Sequence, residues 1–265
     1  MHKLKYIVLS LIATAFIGCD EIKEGDRYIE MEQVTAKRAV LLEEFTGQRC
    51  SNCPDAHEAI KMLKEQYGDA LITVGIHAGS FGIAEGMSPK ITGLMQPEGD
   101  EYAIKWDVQT YPSGVINRAS GAIGMDAWAA SIRAELEKES PLSIDLSATN
   151  NSEDNSIEIS TIVKPSSDVV GKLQLWVDES VIVAIQLNWS TTISDYVHDH
   201  VYRASVNGTW GEDVSLSDNI YEEFNHSISV KDNWNVDNLE IVAFVYDESG
   251  VVQVAQTHVV PAQTL

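Results

Sequence analysis

Two cysteines, Cys50 and Cys53, are separated by two residues and stand between an apolar run at residues 39–42 and a helical pattern at residues 55–67. A Cys-x-x-Cys pair at a strand-to-helix turn is typical of thiol redox chemistry. Amide groups at the start of a helix stabilise a thiolate, and Arg49 adds a positive neighbour, so we expect Cys50 to be the nucleophile. Cys53, expected one turn into the helix, resolves the mixed disulfide in this interpretation.

Two other interpretations of the cysteine pair stay open. One is a structural disulfide in a protein that has no turnover. The other is a zinc site, because His57 follows Cys53 by one helical turn and His77 ends the next predicted strand. This grouping lacks a second cysteine pair and exported thiols usually oxidise, so we predict no metal and no cofactor. His77 alone is more typical of a packed or hydrogen-bonded residue at a strand end.

The N-terminus predicts export and lipid attachment. A short basic start precedes an apolar run at residues 6–17, which is too short for a permanent membrane span. The run ends in Gly18-Cys19, which resembles the bacterial lipoprotein signal, where cleavage before the cysteine is coupled to its acylation. We therefore predict a signal peptide at residues 1–18 and a lipid-anchored tether with a first strand at residues 19–34. An acylated Cys19 cannot pair, which leaves Cys50 and Cys53 as the available thiols.

The charge balance excludes some partners. The 265-residue chain has 18 basic and 40 acidic side chains, a formal net charge of -22. Nucleic-acid binding needs a basic patch, and none is visible, so we predict no nucleic-acid partner. An acidic surface also repels anionic headgroups, so membrane attachment is expected through the lipid on Cys19.

The chain changes character at Pro141. Residues 35–140 alternate strand-like and helix-like segments, an α/β pattern, with an irregular segment at residues 79–99. Residues 141–265 show about eight short strands separated by turn residues, including one at residues 197–205, which favours an immunoglobulin-like β-sandwich. The predicted fold class is α/β plus all-β. A helix is also expected at residues 126–139, with Asp126 as its N-cap.

Three features besides the cysteines resemble the active site of the thioredoxin fold. Glu44 stands where that family carries a buried acid on the preceding strand, which implies a proton acceptor for the second cysteine, and the apolar Phe45 follows it. The segment from Tyr102 to Pro112 resembles the approach to the family's cis-proline, which implies that Pro112 faces the cysteine pair. Two departures from the pattern are Arg49, in place of the usual tryptophan, and the long segment before Pro112.

Three side chains in the β-rich half are further candidates. His198 and His200 are expected to alternate on one strand and share a face, where they could hold a metal or act as a pH-sensitive contact. The alternative is ordinary hydrogen bonding to loop carbonyls, with Arg203 paired to Asp199 or Asp195.

Several separated blocks resemble the Bacteroidetes outer-membrane lipoproteins of the twenty-eight-kilodalton Omp type. The blocks lie around the cysteine pair, at residues 99–102, 111–118, 196–203, 208–211, 233–235 and 239–247. This resemblance implies a lipid-anchored envelope protein with a thioredoxin-like N-terminal part and a β-rich C-terminal part. It leaves two functions: thiol–disulfide exchange with exported proteins, or non-catalytic binding of a protein partner by the β-sandwich, as proposed for adhesion in this family.

Overall fold

The computed structural model describes residues 38–262. Its first strand, β1 (Val40–Thr46), leads directly to the cysteine pair. All seven residues of β1 are buried, as expected for a strand covered on both faces. Strand β2 (Leu71–His77) pairs with β1 in parallel, and strand β3 (Ser113–Ile116) pairs with its other edge in antiparallel orientation. The predicted signal peptide, the tether and Cys19 lie outside the described residues.

Three α-helices accompany these strands in the described part of the chain. Helix α1 (Cys53–Tyr67) links β1 to β2, and it buries Ala56, Ile60 and Leu63 on one face. Helices α2 (Pro97–Lys105) and α3 (Trp128–Leu136) precede and follow β3. Both α1 and α2 carry a proline in the first turn, where the missing N–H has no intrahelical partner to lose.

The helix expected at residues 126–139 is shorter than predicted. A 3-10 turn at Met125–Ala127 comes first, and α3 itself begins at Trp128. Asp126 therefore lies inside the 3-10 turn, and the N-cap of α3 has no side-chain hydrogen bond. The buried Trp128 explains this start, because its indole N–H donates to the carbonyl of Ile123 at 3.2 Å and fixes the first turn.

Ten strands follow α3 in the described residues and are joined by turns. They are β4 (Leu142–Asn151), β5 (Ser156–Pro165), β6 (Val169–Glu179), β7 (Ile182–Asn188), β8 (Thr191–His198), β9 (Val201–Ser205), β10 (Glu212–Leu216), β11 (Glu222–Ser229), β12 (Leu239–Asp247) and β13 (Gly250–Pro261).

One large sheet connects both halves of the chain. Its eleven strands run in the order β11-β5-β4-β13-β12-β6-β9-β2-β1-β3, with β10 paired to β6. The junction is β9, which pairs in parallel with β2 at Val201 and Gly75 and in antiparallel orientation with β6. A shared hydrophobic core joins the halves as well, because Leu41 and Phe45 belong to the same cluster as Trp176.

The fold is thus mixed α/β, with a large β-sheet and few helices. The described residues fall in one compact unit. The thioredoxin-like domain, the immunoglobulin-like sandwich and a boundary near residue 140 stay predictions.

Strands β7 and β8 pair with each other and form a separate two-stranded sheet, which we call the β7–β8 hairpin (residues 182–198). The prediction of one strand over residues 197–205 is wrong, because β8 ends at His198 and β9 begins at Val201. His200 lies between them with φ 54, and its carbonyl accepts a hydrogen bond from Gly75 N at 2.6 Å. This turn lets the chain leave the hairpin and enter the large sheet.

Candidate functional site

The cysteine turn (residues 47–52) joins β1 to α1 and holds one end of the disulfide between Cys50 and Cys53. Cys50 is 2% exposed and Cys53 is fully buried. Cys53 is the first residue of α1, so the expectation that it lies one turn inside the helix is wrong. Pro54 sets this start, since proline suits the first helical turn. Cys50 belongs to the turn before the helix, where its N–H donates to Gly47 O at 2.9 Å.

Glu44 and His57 form an ion pair beside the cysteine turn. Nε2 of His57 lies 3.4 Å from a carboxylate oxygen of Glu44 and 3.1 Å from the hydroxyl of Thr46. The other ring nitrogen, Nδ1, lies 2.7 Å from the hydroxyl of Tyr196 on β8. Burial lowers the pKa of His57, but the negative charge and hydrogen bonding of Glu44 outweigh it, and the net direction is upward.

Two further histidines lie next to this pair and are buried. The His198 ring centroid is 5.4 Å from that of His77 and 6.4 Å from that of His57. Burial, then the neighbouring His198 and His57, hold the pKa of His77 well below its usual value. Burial and His57 lower the pKa of His198 to about 4. His77 and His198 are therefore neutral at pH 7, and His57 is the member of the group that favours its protonated form.

The β7–β8 hairpin is hydrogen-bonded across the cysteine turn. Nε2 of Gln186 donates to Cys50 O at 2.8 Å and to Gly47 O at 3.3 Å, and Gln186 is fully buried. At the tip of the hairpin, Trp189 N donates to Ser51 O at 3.1 Å. These bonds hold the hairpin over the backbone of the residues that present Cys50.

The irregular segment at residues 79–99 braces the same turn from another direction. The backbone of Phe81 passes so close to Gly47 that a Cβ there would lie 2.5 Å from its carbonyl, which explains the glycine. Arg49 is exposed, and its guanidinium donates to Gly82 O at 3.2 Å. Arg49, which stands where the thioredoxin-like pattern has a tryptophan, thus helps to hold this segment against the cysteine turn.

Pro112 follows a cis peptide bond with Tyr111, as predicted. It directly precedes β3, whose first residue Ser113 pairs with Phe45 of β1. Because Phe45 is near the end of β1 that leads into the cysteine turn, Pro112 lies at the same end of the sheet as the cysteines.

The structure places His200 and Arg203 differently from the sequence prediction. His198 and His200 do not share a strand, so the prediction of a common face on one strand is wrong. Arg203 pairs with Glu179 at 3.2 Å and Glu85 at 3.7 Å, and neither Asp199 nor Asp195 is its partner. The continuous sheet explains this pairing, because β9 adds Arg203 beside β6, which ends at Glu179.

A cavity of about 550 Å³ lies between α1, β2 and β8. The residues that contribute chemistry to its lining are Glu44, His57, His77, Tyr196, His198 and His200. The cysteines do not line this cavity. The Glu44–His57 pair is part of its lining.

Sequence reasoning missed three parts of this arrangement: Tyr196, the covering Gln186 and the proximity of His57 to Glu44. The spacing of four residues between Cys53 and His57 was a usable signal, because it puts both on one face of α1. Gln186 had no signal in the sequence, since its role depends on where the hairpin docks.

The fold and the site define a mixed α/β protein with a buried Cys-x-x-Cys disulfide and an adjoining acid–histidine group. Within residues 38–262, no helix is both long and apolar enough to cross a membrane. The family described as outer membrane protein Omp28 matches residues 99–263, more than half of the chain. The chain belongs to this family, which confirms the resemblance seen in the sequence and the outer-membrane localisation. The matched residues begin after the cysteine turn.

Two solved structures support the mixed α/β fold. HBP35 of Porphyromonas gingivalis is 18% identical, with a TM-score of 0.67 over 87% of this chain and 79% of that chain. A crystal structure from Agrobacterium tumefaciens is 15% identical, with a TM-score of 0.51 over 87% of this chain and 99% of that one. A domain of the outer membrane lipoprotein Omp28 from Porphyromonas gingivalis is 19% identical, with a TM-score of 0.34 over 48% of this chain and 93% of that one. Among curated proteins, none matches the chain.

Proposed function

We propose that this outer-membrane protein exchanges disulfides with exported proteins through Cys50 and Cys53, in a thioredoxin-like arrangement. The observation that carries the proposal is a Cys-x-x-Cys disulfide that includes the first residue of α1, with the buried Glu44 paired to the half-buried His57 on the same strand–helix unit. Redox-active cysteines are typically found at helix N-termini beside groups that control their protonation. The cis peptide before Pro112, at the same end of the sheet, agrees with this site class.

In its disulfide form the protein is the oxidant. A substrate thiolate attacks Sγ of Cys50, the bond between Cys50 and Cys53 breaks, and the electron pair leaves on Sγ of Cys53. A second substrate thiolate then attacks the substrate sulfur of the mixed disulfide and releases Cys50. The substrate gains a disulfide and loses two electrons and two protons, which Cys50 and Cys53 take up as thiols. The reverse sequence reduces a substrate disulfide.

His57 is the proton donor to the departing Cys53 thiolate in this scheme. It lies one helical turn from Cys53 on the same face of α1, and Glu44 favours its protonated form. Glu44 therefore contributes to proton transfer at Cys53 by stabilising the protonated ring of His57. Tyr196 holds the ring from the other side through Nδ1.

Access to Cys50 requires a movement of the β7–β8 hairpin. Both cysteines are buried, and Gln186 ties the hairpin to the carbonyl of Cys50. A protein substrate therefore reaches the sulfur after the hairpin lifts, which makes the hairpin a gate on the exchange reaction.

The test is an exchange assay on the mature chain with a reduced, unfolded disulfide protein as substrate and a reduction-potential measurement against glutathione. We expect turnover that is abolished in Cys50→Ser and retained in Ser51→Ala, a change in the same turn that leaves both thiols. A potential below about −300 mV, as structural disulfides typically have, together with no turnover, contradicts the proposal.

The second candidate is a non-catalytic protein that binds a protein partner, with the disulfide bracing the turn. The observation that favours it is an exposed apolar patch on the hairpin that covers the buried disulfide. Val183 and Val197, which pair across its strands, are 56% and 48% exposed, and Trp189 at its tip is 66% exposed. Absence of exchange in the assay above supports this candidate.

A further inference from the structure

A second polar group lies on the large sheet, away from the cysteine turn. Asp178 on β6 and Glu240 on β12 are directly opposite each other in the strand register. His200, in the turn before β9, brings Nδ1 to 4.0 Å from an oxygen of Asp178 and 3.8 Å from an oxygen of Glu240. One ligand atom from each of the three side chains lies within 4.8 Å of the other two, and no other group of the described residues meets this condition.

This group is incompletely satisfied by the protein. The side chain of Asp178 is fully buried, and its Oδ1 has no hydrogen-bond partner among the described residues. Nδ1 of His200 also lacks one. Two carboxylates in direct opposition on neighbouring strands repel each other, and burial strengthens that repulsion. A buried, unpartnered carboxylate is costly unless a cation compensates it.

We propose that Asp178, Glu240 and His200 bind a divalent transition-metal ion, with Zn²⁺ the best match. An imidazole nitrogen and two carboxylate oxygens are the ligand types that zinc accepts, and the imidazole disfavours Ca²⁺ and Mg²⁺. Three protein ligands leave a coordination position open for water or a further ligand. The doubly negative carboxylate pair balances the charge of a divalent ion.

The surroundings of the group fit a metal site. Nε2 of Gln256 donates to Asp178 at 3.2 Å and to Glu240 at 3.0 Å, so one amide orients both carboxylates, as the groups around metal ligands commonly do. Zinc–ligand bonds of about 2.0–2.2 Å require the three ligand atoms to move closer together, which side-chain rotation can supply. His200 lines the cavity of about 550 Å³, which provides a route from solvent.

The charged or titratable groups that act on this group are Lys64 of α1, His258 of β13 and Asp199, which directly precedes His200. Burial and the opposing Glu240 hold the pKa of Asp178 well above its usual value without a metal, and Lys64 opposes this shift. His258 lies 3.2 Å from the other oxygen of Glu240 and is 77% exposed. The positive charge of Lys64 therefore opposes the binding of a cation by this group.

The test is calorimetric titration of the chelator-treated mature chain, with its disulfide intact, using Zn²⁺, Mn²⁺ and Ca²⁺ separately. We expect one Zn²⁺ per chain and at least tenfold weaker binding of Ca²⁺. Asp178→Asn and His200→Asn each weaken Zn²⁺ binding at least tenfold, and asparagine tolerates the positive φ at position 200. Lys64→Met tightens binding, an effect that a purely structural role for the group does not produce. His226→Gln, which changes an ion pair with Glu212 elsewhere, leaves binding unchanged.

Thermal unfolding separates loss of the site from loss of the fold. Asp178→Asn removes the like-charge pair, so the metal-free variant is expected to unfold at the wild-type temperature or above it, and Zn²⁺ raises only the wild-type value. Absence of Zn²⁺ binding to the wild type at about 1 mM, or equal binding by Asp178→Asn, overturns the proposal. Binding that survives Asp178→Asn and is lost in His198→Gln also overturns it and assigns the ion to the histidines around His57. Because the disulfide is kept intact, these outcomes do not depend on the exchange activity.

Discussion

The two faces of β1 carry neighbouring glutamates in opposite situations. Glu43 is fully buried and pairs with Arg118, whose Nε lies 2.6 Å from its carboxylate. Aromatic rings surround that guanidinium, with centroids 4.7 Å away at Phe244 and 4.6 Å away at Tyr246. Glu44 points to the other face, because successive strand residues alternate, and it meets His57 at the cavity.

The difference between the faces is how completely their polar groups are paired. Beside Glu44, the atoms without hydrogen bonds in the described residues include Thr73 Oγ1, His77 Nδ1 and His198 Nε2. On the Glu43 side the ion pair is enclosed by rings, and Arg118 Nη1 is the unpaired atom of that pair. Complete pairing stabilises a core, whereas incomplete pairing leaves groups that can still take up a proton or a ligand. We therefore assign the Glu43 face to structure and the Glu44 face to chemistry.

The largest effect is expected from Arg118→Met, which leaves Glu43 buried without a counter-charge. Breaking a buried ion pair typically costs about 3–5 kcal/mol, to be measured by urea unfolding. The matched control is Arg133→Met, since that arginine pairs with Glu137 on the surface and the loss is expected to stay below about 1 kcal/mol. Equal losses for the two variants contradict a structural role for the Glu43 face.

Acid is expected to destabilise the Glu44 face through His198. Burial and the neighbouring His57 lower its pKa to about 4 in the fold, against an ordinary value of 6.5, so the unfolded chain binds the proton more readily. Stability from this group is present above pH 6.5 and is lost as pH falls toward 4, by about 3 kcal/mol. His198→Gln removes this part of the acid sensitivity, measured by urea unfolding at pH 7 and pH 4.5. An unchanged pH dependence in His198→Gln shows that other groups cause the loss.

Gln186→Ala tests whether the β7–β8 hairpin limits the access of a reductant to the disulfide. The change leaves Cys50 O and Gly47 O without their side-chain donor, at a cost of about 1–3 kcal/mol. We expect faster reduction of the disulfide by dithiothreitol under native conditions. Thr192→Ala, an exposed position on the same hairpin, serves as the control. Equal reduction rates in wild type and Gln186→Ala show that the hairpin is not a gate.

Glu44→Gln is expected to give the smallest change in stability, because glutamine keeps the shape of the side chain and the partly exposed His57 can lose its proton. It gives a definite change in pH dependence. The charge of Glu44 raises the pKa of His57, so stability from this pair is present below the unfolded value and lost as pH rises through the folded one. In Glu44→Gln the pKa of His57 falls, as NMR titration of its ring can show. A His57 pKa that does not move means that Glu44 and His57 are not coupled.

Local sequence was enough to predict the first two strands and the first helix of the described residues. Apolar runs, helical spacing and prolines in first turns depend on neighbouring residues, so β1, β2 and α1 follow from them. The cysteine spacing and the predicted export allowed a disulfide between Cys50 and Cys53, and the resemblance of the segment before Pro112 to the thioredoxin family predicted its cis peptide. The end of β8 at His198 was not predicted, because the turn at His200 is held by Gly75, a residue far away in the chain.

Tertiary structure alone decided which side chains meet. The sequence determined that Glu44 stands behind a cysteine pair, that Cys19 is the candidate for lipid attachment and that the chain resembles an outer-membrane family. It could not determine that Glu44 and Tyr196 contact opposite sides of His57, that Gln186 donates to the carbonyl of Cys50, or that Asp178 and Glu240 face His200. These contacts depend on the addition of β9 to β2 and on the docking of the hairpin, which are long-range pairings with no periodic signal in the chain.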